Sequence, residues 1–201
     1  MREKLLLSTR NANKVREVRE ILSTFAEVVD LSTIPEMPEV EETGTTFLEN
    51  AALKAIAASQ RFEGWTLADD SGLEVDALQA APGVYSARYA GPTASDADNR
   101  RFLLEKLRAV SPEKRTARFR CALVLARDGA QVGSFEGAVE GVILHEERGA
   151  GGFGYDALFI PEGFSESFAE LPAEAKNRLS HRGRALQALK KWFEEQGASL
   201  S

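Results

Sequence analysis

The sequence is poor in the residues on which thiol and zinc chemistry depend. It contains one cysteine and two histidines in 201 residues. The single cysteine, Cys121, cannot form an internal disulfide, and the apolar residues that follow it predict a buried strand, so we interpret it as a core thiol rather than a nucleophile. His145 and His181 have no cysteine near them in the sequence, which argues against a zinc site.

Long apolar runs are also absent. The longest, at residues 121–126, is far shorter than the roughly 20 residues that a helix needs to cross a bilayer. Near the start of the chain only three leucines follow Lys4, which is too few for the apolar region of a signal peptide. We therefore expect no membrane segment and a cytoplasmic location.

The sequence lacks the signatures of several common enzyme classes. It has no G-x-x-x-x-G-K-[ST] loop, no G-x-G-x-x-G turn between a strand and a helix, and no G-x-S-x-G elbow. These absences argue against P-loop, dinucleotide-binding and serine-hydrolase chemistry. The 31 acidic and 25 basic side chains give a net charge of −6, which repels a nucleic-acid backbone. We expect no nucleic-acid partner.

What is present is the composition and patterning of one α/β domain over residues 1–201. The shares of apolar residues, 43%, and charged residues, 28%, are those of an ordinary folded domain. Apolar residues spaced by three and four predict an amphipathic helix over 14–24. A capping box from Thr46 to Glu49 begins a second helix, which Gly64 is expected to end. Further strands are predicted at 5–7, 28–31, 65–68, 73–78, 116–127, 132–139, 142–144 and 157–160, and further helices at 96–108 and from about 180 onward.

An acidic pair follows the predicted strand 65–68. Successive strand side chains point to opposite faces, so Asp69 and Asp70 cannot both enter one cleft, and we expect one to be catalytic and the other supportive. A solvated turn is the competing interpretation. Glu41 and Glu42, in an acidic loop over 34–44, are carboxylates that could share a hard cation such as Mg²⁺ with Asp70.

A polar loop at residues 9–13 leads into a helix that carries Lys14 near its start. Backbone N–H groups, the positive end of the helix and an ammonium together suit a phosphate group, although helix capping by Asn11 or Asn13 explains the same residues. Lys54 lies on the polar side of the capped helix. Carboxylates and lysines without a cofactor motif favour metal-assisted attack of water on a phosphoanhydride.

Six short motifs then occur in order along nearly the whole chain: STRNANK at 8–14, EETGTTFLENA at 41–51, ADDSGL at 68–73, PGVYSARY at 82–89, GGFGYD at 151–156 and KNRLSHRG at 176–183. In this combination the chain resembles the inosine/xanthosine triphosphate pyrophosphatase family. Those enzymes hydrolyse deaminated purine nucleoside triphosphates to the monophosphate and pyrophosphate. The resemblance implies an elongated, two-lobed α/β fold with a central mixed, twisted sheet flanked by helices, an active site in the cleft between the lobes, and a homodimer.

The resemblance also implies roles for individual residues. Asp70 is expected to be the general base and a ligand of Mg²⁺, Asp69 to support it, and Glu41 to be the second metal ligand, with Glu42 as the alternative. The expected contacts to the triphosphate and its surroundings are Thr9, Arg10, Asn11, Ala12, Asn13, Lys14, Lys54 and Ser71. The expected contacts to the sugar and the purine are Phe153, Gly154, Tyr155, Asp156, Lys176, His181 and Arg182.

Two alternatives stay open at this point. The same phosphate-binding residues could serve a pyrophosphohydrolase with another base preference, such as modified pyrimidines or ordinary nucleotides. From another class, the chain could be a regulatory module that binds a nucleotide without turning it over. Intact Asp69, Asp70, Lys14 and Lys54 count against the second alternative.

Overall fold

Six strands form one sheet in the computed structural model, which describes residues 4–34 and 37–197. The strands are β1 (Lys4–Leu7), β2 (Glu27–Asp30), β3 (Trp65–Val75), β4 (Thr116–Arg127), β5 (Ala130–Ile143) and β6 (Phe159–Pro161). Their order is β2-β1-β3-β4-β5-β6. β1 pairs in parallel with β2 and β3, whereas β5 and β6 are antiparallel. The predicted mixed sheet is therefore confirmed.

Helices follow β1, β2 and β3 in turn, and two more follow the last strand, which confirms the α/β class. They are α1 (Ala12–Leu22), α2 (Phe47–Ser59), α3 (Asp96–Lys106), α4 (Ala173–Leu179) and α5 (His181–Glu195). None of the helices in the described part of the chain is long and apolar enough to cross a membrane.

The chain divides into two units, each built from separate stretches of sequence. The first unit takes in the described residues of Met1–Asp70, Cys121–Gly137 and Arg182–Ser201, and the second takes in Ser71–Arg120 and Ala138–His181. The organisation as a single domain over 1–201 stays a prediction.

The core of the first unit places α1 and α5 against buried side chains of the sheet. Leu5, Val18 and Leu189 belong to one buried cluster, and Trp65 meets the ring of Phe193 edge to face at 5.3 Å. On the buried face of α2, Ala51 and Ala55 pack against Ala68 and Val124. Because alanine is small, this face lets α2 approach the sheet closely, and the polar residues of the same helix come within reach of β3.

The second unit has its own aromatic core. The ring of Phe119 lies 4.8 Å from that of Phe159 and 6.0 Å from that of Phe168. Close pairing of β5 with β6 requires Gly141, since a Cβ at that position would lie 2.2 Å from the carbonyl oxygen of Ile160. This core lies beneath the segment that carries the GGFGYD motif, because Tyr155 belongs to the same buried cluster.

The prediction that Asp69 and Asp70 lie at a strand end is wrong. β3 runs without a break from Trp65 to Val75, and only its neighbour β1 stops, at Leu7, where its pairing with β3 ends at Leu67. The sequence D-D-S-G is typical of a turn, but pairing within the sheet keeps it extended. The acidic pair therefore lies inside a strand, just past the last residue that β1 covers.

Other boundaries also differ from the predictions, for example those of β5, α2 and α1. β5 is one strand where two were predicted, α2 ends at Ser59 rather than next to Gly64, and α1 begins at Ala12 because Asn11 caps it. Helix α4, which no apolar periodicity predicted, follows Pro172. Within the predicted acidic loop over 34–44, residues 35 and 36 lie outside the described residues.

Candidate active site

The polar loop after β1 is tied down at the start of α1. The side chain of Asn11 accepts hydrogen bonds from the N–H groups of Asn13, at 3.0 Å, and Lys14, at 3.2 Å. Thr9 Oγ1 accepts from the N–H of Asn11 at 3.2 Å, and Arg10 Nη2 donates to the carbonyl of Met37 at 2.6 Å. Capping by Asn11, one of the two interpretations of this loop, is confirmed, and phosphate binding by residues 9–14 stays a prediction.

Asp69 is completely buried among cations of the first unit. Its Oδ1 pairs with Lys14 Nζ, its Oδ2 accepts from Arg182 Nε at 2.8 Å, and the thiol of Cys121 donates to Oδ2 at 3.2 Å. Burial alone would raise the pKa of Asp69, but the charges of Arg182 and Lys14 outweigh it and hold the pKa well below its usual range. Asp69 is therefore a fixed anion.

Asp70 points to different partners, as expected for the next residue of a strand. Its Oδ1 accepts from Lys54 Nζ at 3.2 Å and its Oδ2 from Asn50 Nδ2 at 3.3 Å. Burial raises the pKa of Asp70, and the charges of Lys54 and Lys14 only partly oppose it. The adjacent carboxylates thus have pKa values pushed in opposite directions by their different surroundings.

Lys54 is the centre of the cluster around Asp70. Besides Asp70, its Nζ donates to Glu42 Oε1 at 2.7 Å and to the carbonyl of Asp69 at 2.9 Å. Burial would lower the pKa of Lys54, but the carboxylates of Asp70 and Glu42 raise it. Lys54 is therefore held as a cation beside the acidic pair.

The two glutamates that the sequence left undecided differ in position. Glu42 is half-buried and shares the Lys54 ammonium with Asp70, whereas the side chain of Glu41 is exposed. Among residues 4–34 and 37–197, no group of three or more His, Cys, Asp or Glu is placed to hold a metal ion. Glu42 and Asp70 are therefore two carboxylates that bind the same ammonium group, that of Lys54.

The GGFGYD motif forms a second cluster, within the second unit. Asp156 Oδ2 accepts from the N–H of Phe153 at 2.8 Å and from Lys176 Nζ at 2.6 Å, and Lys176 Nζ also lies 4.9 Å from the centre of the Phe153 ring. Asp156 and Lys176 are both buried, whereas Phe153 is half-buried. The loop thus presents one aromatic ring with a buried ion pair behind it.

Three further residues of the second unit are fixed by their neighbours. Tyr155 is buried and donates its hydroxyl to the carbonyl of Ser86 at 2.9 Å. His181 is buried, with its ring stacked 4.8 Å from that of Phe119. The peptide N–H of Gly154 donates to Asp96 on α3 at 2.7 Å. Tyr155 is therefore part of the core, which leaves Phe153 as the ring presented by the loop.

Comparison with known proteins places the chain in a family. The sequence model of the Ham1 family matches residues 5–192. The chain belongs to the Ham1 family. A curated relative from Listeria monocytogenes, named dITP/XTP pyrophosphatase, is 49% identical and is matched over 94% of this chain and 93% of its own. Another of that name from Methylococcus capsulatus is 52% identical, over 94% and 95%. The structure of a HAM1 protein from Coxiella burnetii superposes with a TM-score of 0.85 at 40% identity, over 96% and 99%.

Membership of the Ham1 family confirms the resemblance drawn from the six motifs, but it does not test the roles assigned to individual residues. The structure brings Lys14, Lys54, Asp69 and Asp70 together in the first unit. Arg182, which the resemblance assigns to the purine, is only 1% exposed and pairs with carboxylates in that same unit. Recognition of the purine by Arg182 stays a prediction.

Two residues of this Ham1-family chain were missed by the sequence analysis. Asn50 is fully buried and holds both Asp70 and, through its Oδ1, the N–H of Gly44 at 2.8 Å. Glu17 is buried and pairs with Arg182. Both side chains are buried polar groups that need partners, because an unpaired polar group is costly there, and nothing in the local sequence specifies those partners.

A substitution tests how tightly the GGFGYD loop is built. In Gly152→Ala the new Cβ would lie 2.1 Å from Asp156 Oδ2, and the residue has φ +70°. Gly163 also has a positive φ, +84°, but a Cβ there meets nothing within 4 Å. We expect Gly152→Ala to lose about 1–3 kcal/mol more stability than Gly163→Ala, because only the former overpacks a neighbour. Denaturant unfolding of both variants measures the difference, and equal losses would contradict it.

Proposed function

We propose that this chain hydrolyses dITP, XTP and ITP to the nucleoside monophosphate and pyrophosphate, and so removes deaminated purines from the nucleotide pool. The observation that carries the proposal is the match, over almost the whole chain, to relatives named dITP/XTP pyrophosphatase at 49% and 52% identity. Two adjacent buried carboxylates, Asp69 and Asp70, beside the ammonium groups of Lys14 and Lys54 support the same chemistry. The chain is thus a nucleoside triphosphate pyrophosphohydrolase, a hydrolase of phosphoric anhydrides.

Asp70 is the proposed general base. Its raised pKa makes it a better proton acceptor than an ordinary aspartate. Lys54 fixes one of its oxygens and Asn50 the other, so the carboxylate is oriented before the substrate arrives. A water molecule placed at Asp70 would lose its proton there as it attacks the phosphoanhydride.

The triphosphate needs a concentration of positive charge in a chain whose net charge is −6. The proposed contacts are the loop at 9–13, Lys14, Lys54 and Ser71. Helix N–H groups and ammonium groups bind phosphate oxygens through charge-assisted hydrogen bonds. Lys14 and Lys54 are both held by the acidic pair, and this keeps their side chains in place beside the proposed base.

Mg²⁺ is the proposed cofactor, and the residues fit it. Carboxylate oxygens are the ligands that Mg²⁺ prefers, and Glu42 and Asp70 both face the Lys54 ammonium. We therefore assign Glu42, in place of Glu41, as the carboxylate that holds the metal with Asp70. When bound, Mg²⁺ polarises the phosphates and offsets charge on the leaving pyrophosphate.

Base selection is proposed to rest on the second cluster. Hypoxanthine and xanthine carry an O6 acceptor where adenine carries an amino donor, so a site that donates a hydrogen bond prefers the deaminated bases. Lys176 and His181 are the proposed donors, with Gly154 and Asp156 shaping the loop. Phe153, which the loop presents, is the proposed stacking partner, since Tyr155 is committed to the core.

One assay tests the reaction and the preference together. Purified protein with Mg²⁺ is incubated separately with XTP, ITP, dITP, GTP and ATP, and the monophosphate, pyrophosphate and orthophosphate products are resolved. We expect pyrophosphate and monophosphate from the first three nucleotides, little turnover of GTP and ATP, and no turnover after chelation of the metal. Release of orthophosphate would contradict the proposed bond cleavage, and a preference for pyrimidines or ordinary purines would favour the first alternative.

The regulatory alternative has its own outcome in the same assay. Tight nucleotide binding without turnover would identify the chain as a binding module that keeps the site and lacks the reaction.

A homodimer and a cytoplasmic location complete the proposal. Light scattering coupled to size exclusion checks the dimer.

A further inference from the structure

Glu17 is a buried carboxylate outside every set of residues considered so far for the reaction. It lies on α1 between Val15 and Val18 and is 5% exposed. Burying an ionised carboxylate costs free energy unless a cation and hydrogen bonds compensate it. Arg182 supplies the cation, with its Nη1 at 2.5 Å from Glu17 Oε2.

Glu17 is one end of a row of four charged side chains within the first unit. Arg182 binds Glu17 through Nη1 and Asp69 through Nε, at 2.8 Å, and the other oxygen of Asp69 pairs with Lys14. Lys14 and Glu17 belong to the same helix, one turn apart. Two anions and two cations therefore alternate along the row, and both of its ends lie on α1.

We propose that Glu17 is a positioning residue for the triphosphate site and that it acts through Arg182 and Asp69 on Lys14. The inference rests on the proposed function, in which Lys14 binds the triphosphate. Glu17 itself touches no substrate. Its task is to hold one end of the Arg182 guanidinium, so that one Asp69 oxygen stays committed to Lys14.

The geometry of the guanidinium group explains why this matters. A guanidinium binds a carboxylate most favourably through two parallel hydrogen bonds. Arg182 donates Nε to Asp69 while Nη1 is held by Glu17, so two anions share one cation through different nitrogens. When the Glu17 charge is removed, Arg182 loses the anion that holds Nη1, and the guanidinium can turn toward Asp69 and compete with Lys14 for Oδ1.

Displacement of Lys14 from Asp69 by Arg182 has a specific kinetic signature. Lys14 would interact with the triphosphate in the ground state and the transition state alike, so its displacement raises KM more than it lowers kcat. For Glu17→Gln we expect KM for XTP and the inhibition constant of inorganic pyrophosphate to rise about tenfold, the usual effect of losing one charge-assisted contact. The turnover number at saturation should change less than about threefold.

Glu20→Gln is the matched control, because it makes the same change on an exposed residue of α1. We expect its KM and inhibition constant to equal those of the wild type. Glu17→Asp keeps the charge on a shorter side chain, so it guards against a Glu17→Gln protein that does not fold, and we expect an intermediate rise in KM. Unchanged KM and pyrophosphate inhibition in a folded Glu17 variant would overturn the inference, as would equal effects in Glu20→Gln.

Calorimetric titration with inorganic tripolyphosphate separates this inference from the proposed function. If the wild-type protein releases no pyrophosphate from any nucleotide, the proposed function fails. Weaker tripolyphosphate binding by a Glu17 variant than by the wild type and Glu20→Gln would still support the positioning role. Equal binding by all of them would overturn it.

Discussion

Replacing Asp70 by asparagine is expected to lower kcat for XTP by about a thousandfold, within the range that general-base catalysis contributes. An amide cannot take a proton from water at neutral pH, although it has the shape of the carboxylate. Lys54 Nζ can still donate to the amide oxygen, whereas the amide NH2 cannot accept from Asn50 Nδ2, so the variant loses one of the two hydrogen bonds that hold the side chain. The proposed triphosphate contacts at Lys14 and Lys54 remain, so substrate binding should survive, and steady-state kinetics with a circular dichroism check of the fold measure the effect.

Asp128→Asn is the matched control for this prediction. Asp128 lies in the turn between β4 and β5 with φ +53°, a conformation that asparagine tolerates as well as aspartate, so its kcat should equal that of the wild type. Raising the Mg²⁺ concentration separates two roles of Asp70. Full recovery of Asp70→Asn at high Mg²⁺ would show a metal ligand only, and near-normal turnover without it would remove Asp70 from the mechanism.

Replacing Arg182 by methionine is expected to lower the free energy of unfolding by about 3–5 kcal/mol, the usual cost of removing one partner from a buried ion pair. The reason is that Arg182 serves two buried carboxylates, Asp69 and Glu17, on opposite sides. Burial would lower the pKa of Arg182, but these two anions raise it instead. Denaturant unfolding at pH 7 measures the loss.

The pH dependence of that loss follows from the pKa of Asp69. In the wild type this pKa lies well below 3.8, so its contribution to stability is present above pH 3.8 and is lost as pH falls through the lowered value. Without Arg182 the pKa moves upward and protonation relieves the buried charge, so the deficit should shrink as the solution is acidified. Arg184→Met, an exposed position on α5, is the control and should be nearly neutral. A similarly small change in Arg182→Met would contradict the buried network.

Local sequence patterns predicted the elements whose stabilising contacts are themselves local. The capping box at Thr46 is present in the structure, as is a second box in which Ser95 and Asp98 begin α3. β4 matches its predicted bounds at both ends. Errors arose where the sheet overrode a turn-forming sequence: β3 continues through D-D-S-G, and β5 continues past Gly141.

The candidate site also contains residues that the sequence predicted and residues that it did not predict. Asp70 and Lys14 were candidates because an acidic pair after a strand and a lysine near a helix start form recognisable patterns, and Lys54, in the middle of α2, was a candidate through the family resemblance. Glu17 was not, since its partner Arg182 is 165 residues away in the chain, and no local signal specifies so distant a pairing. The second contact of Arg182, with Asp69, spans 113 residues and was not anticipated for the same reason.

Cys121 can be used to measure how often the sheet around it opens. The thiol is 1% exposed in β4 and donates to Asp69, and both burial and the Asp69 charge raise its pKa well above the ordinary value. A thiol-specific reagent reacts with the thiolate, and it cannot reach Cys121 while the sheet is intact. The rate of labelling therefore equals, at most, the rate at which the strands around the acidic pair separate. Because the sequence has one cysteine, the labelling rate reports the opening of this one part of the sheet.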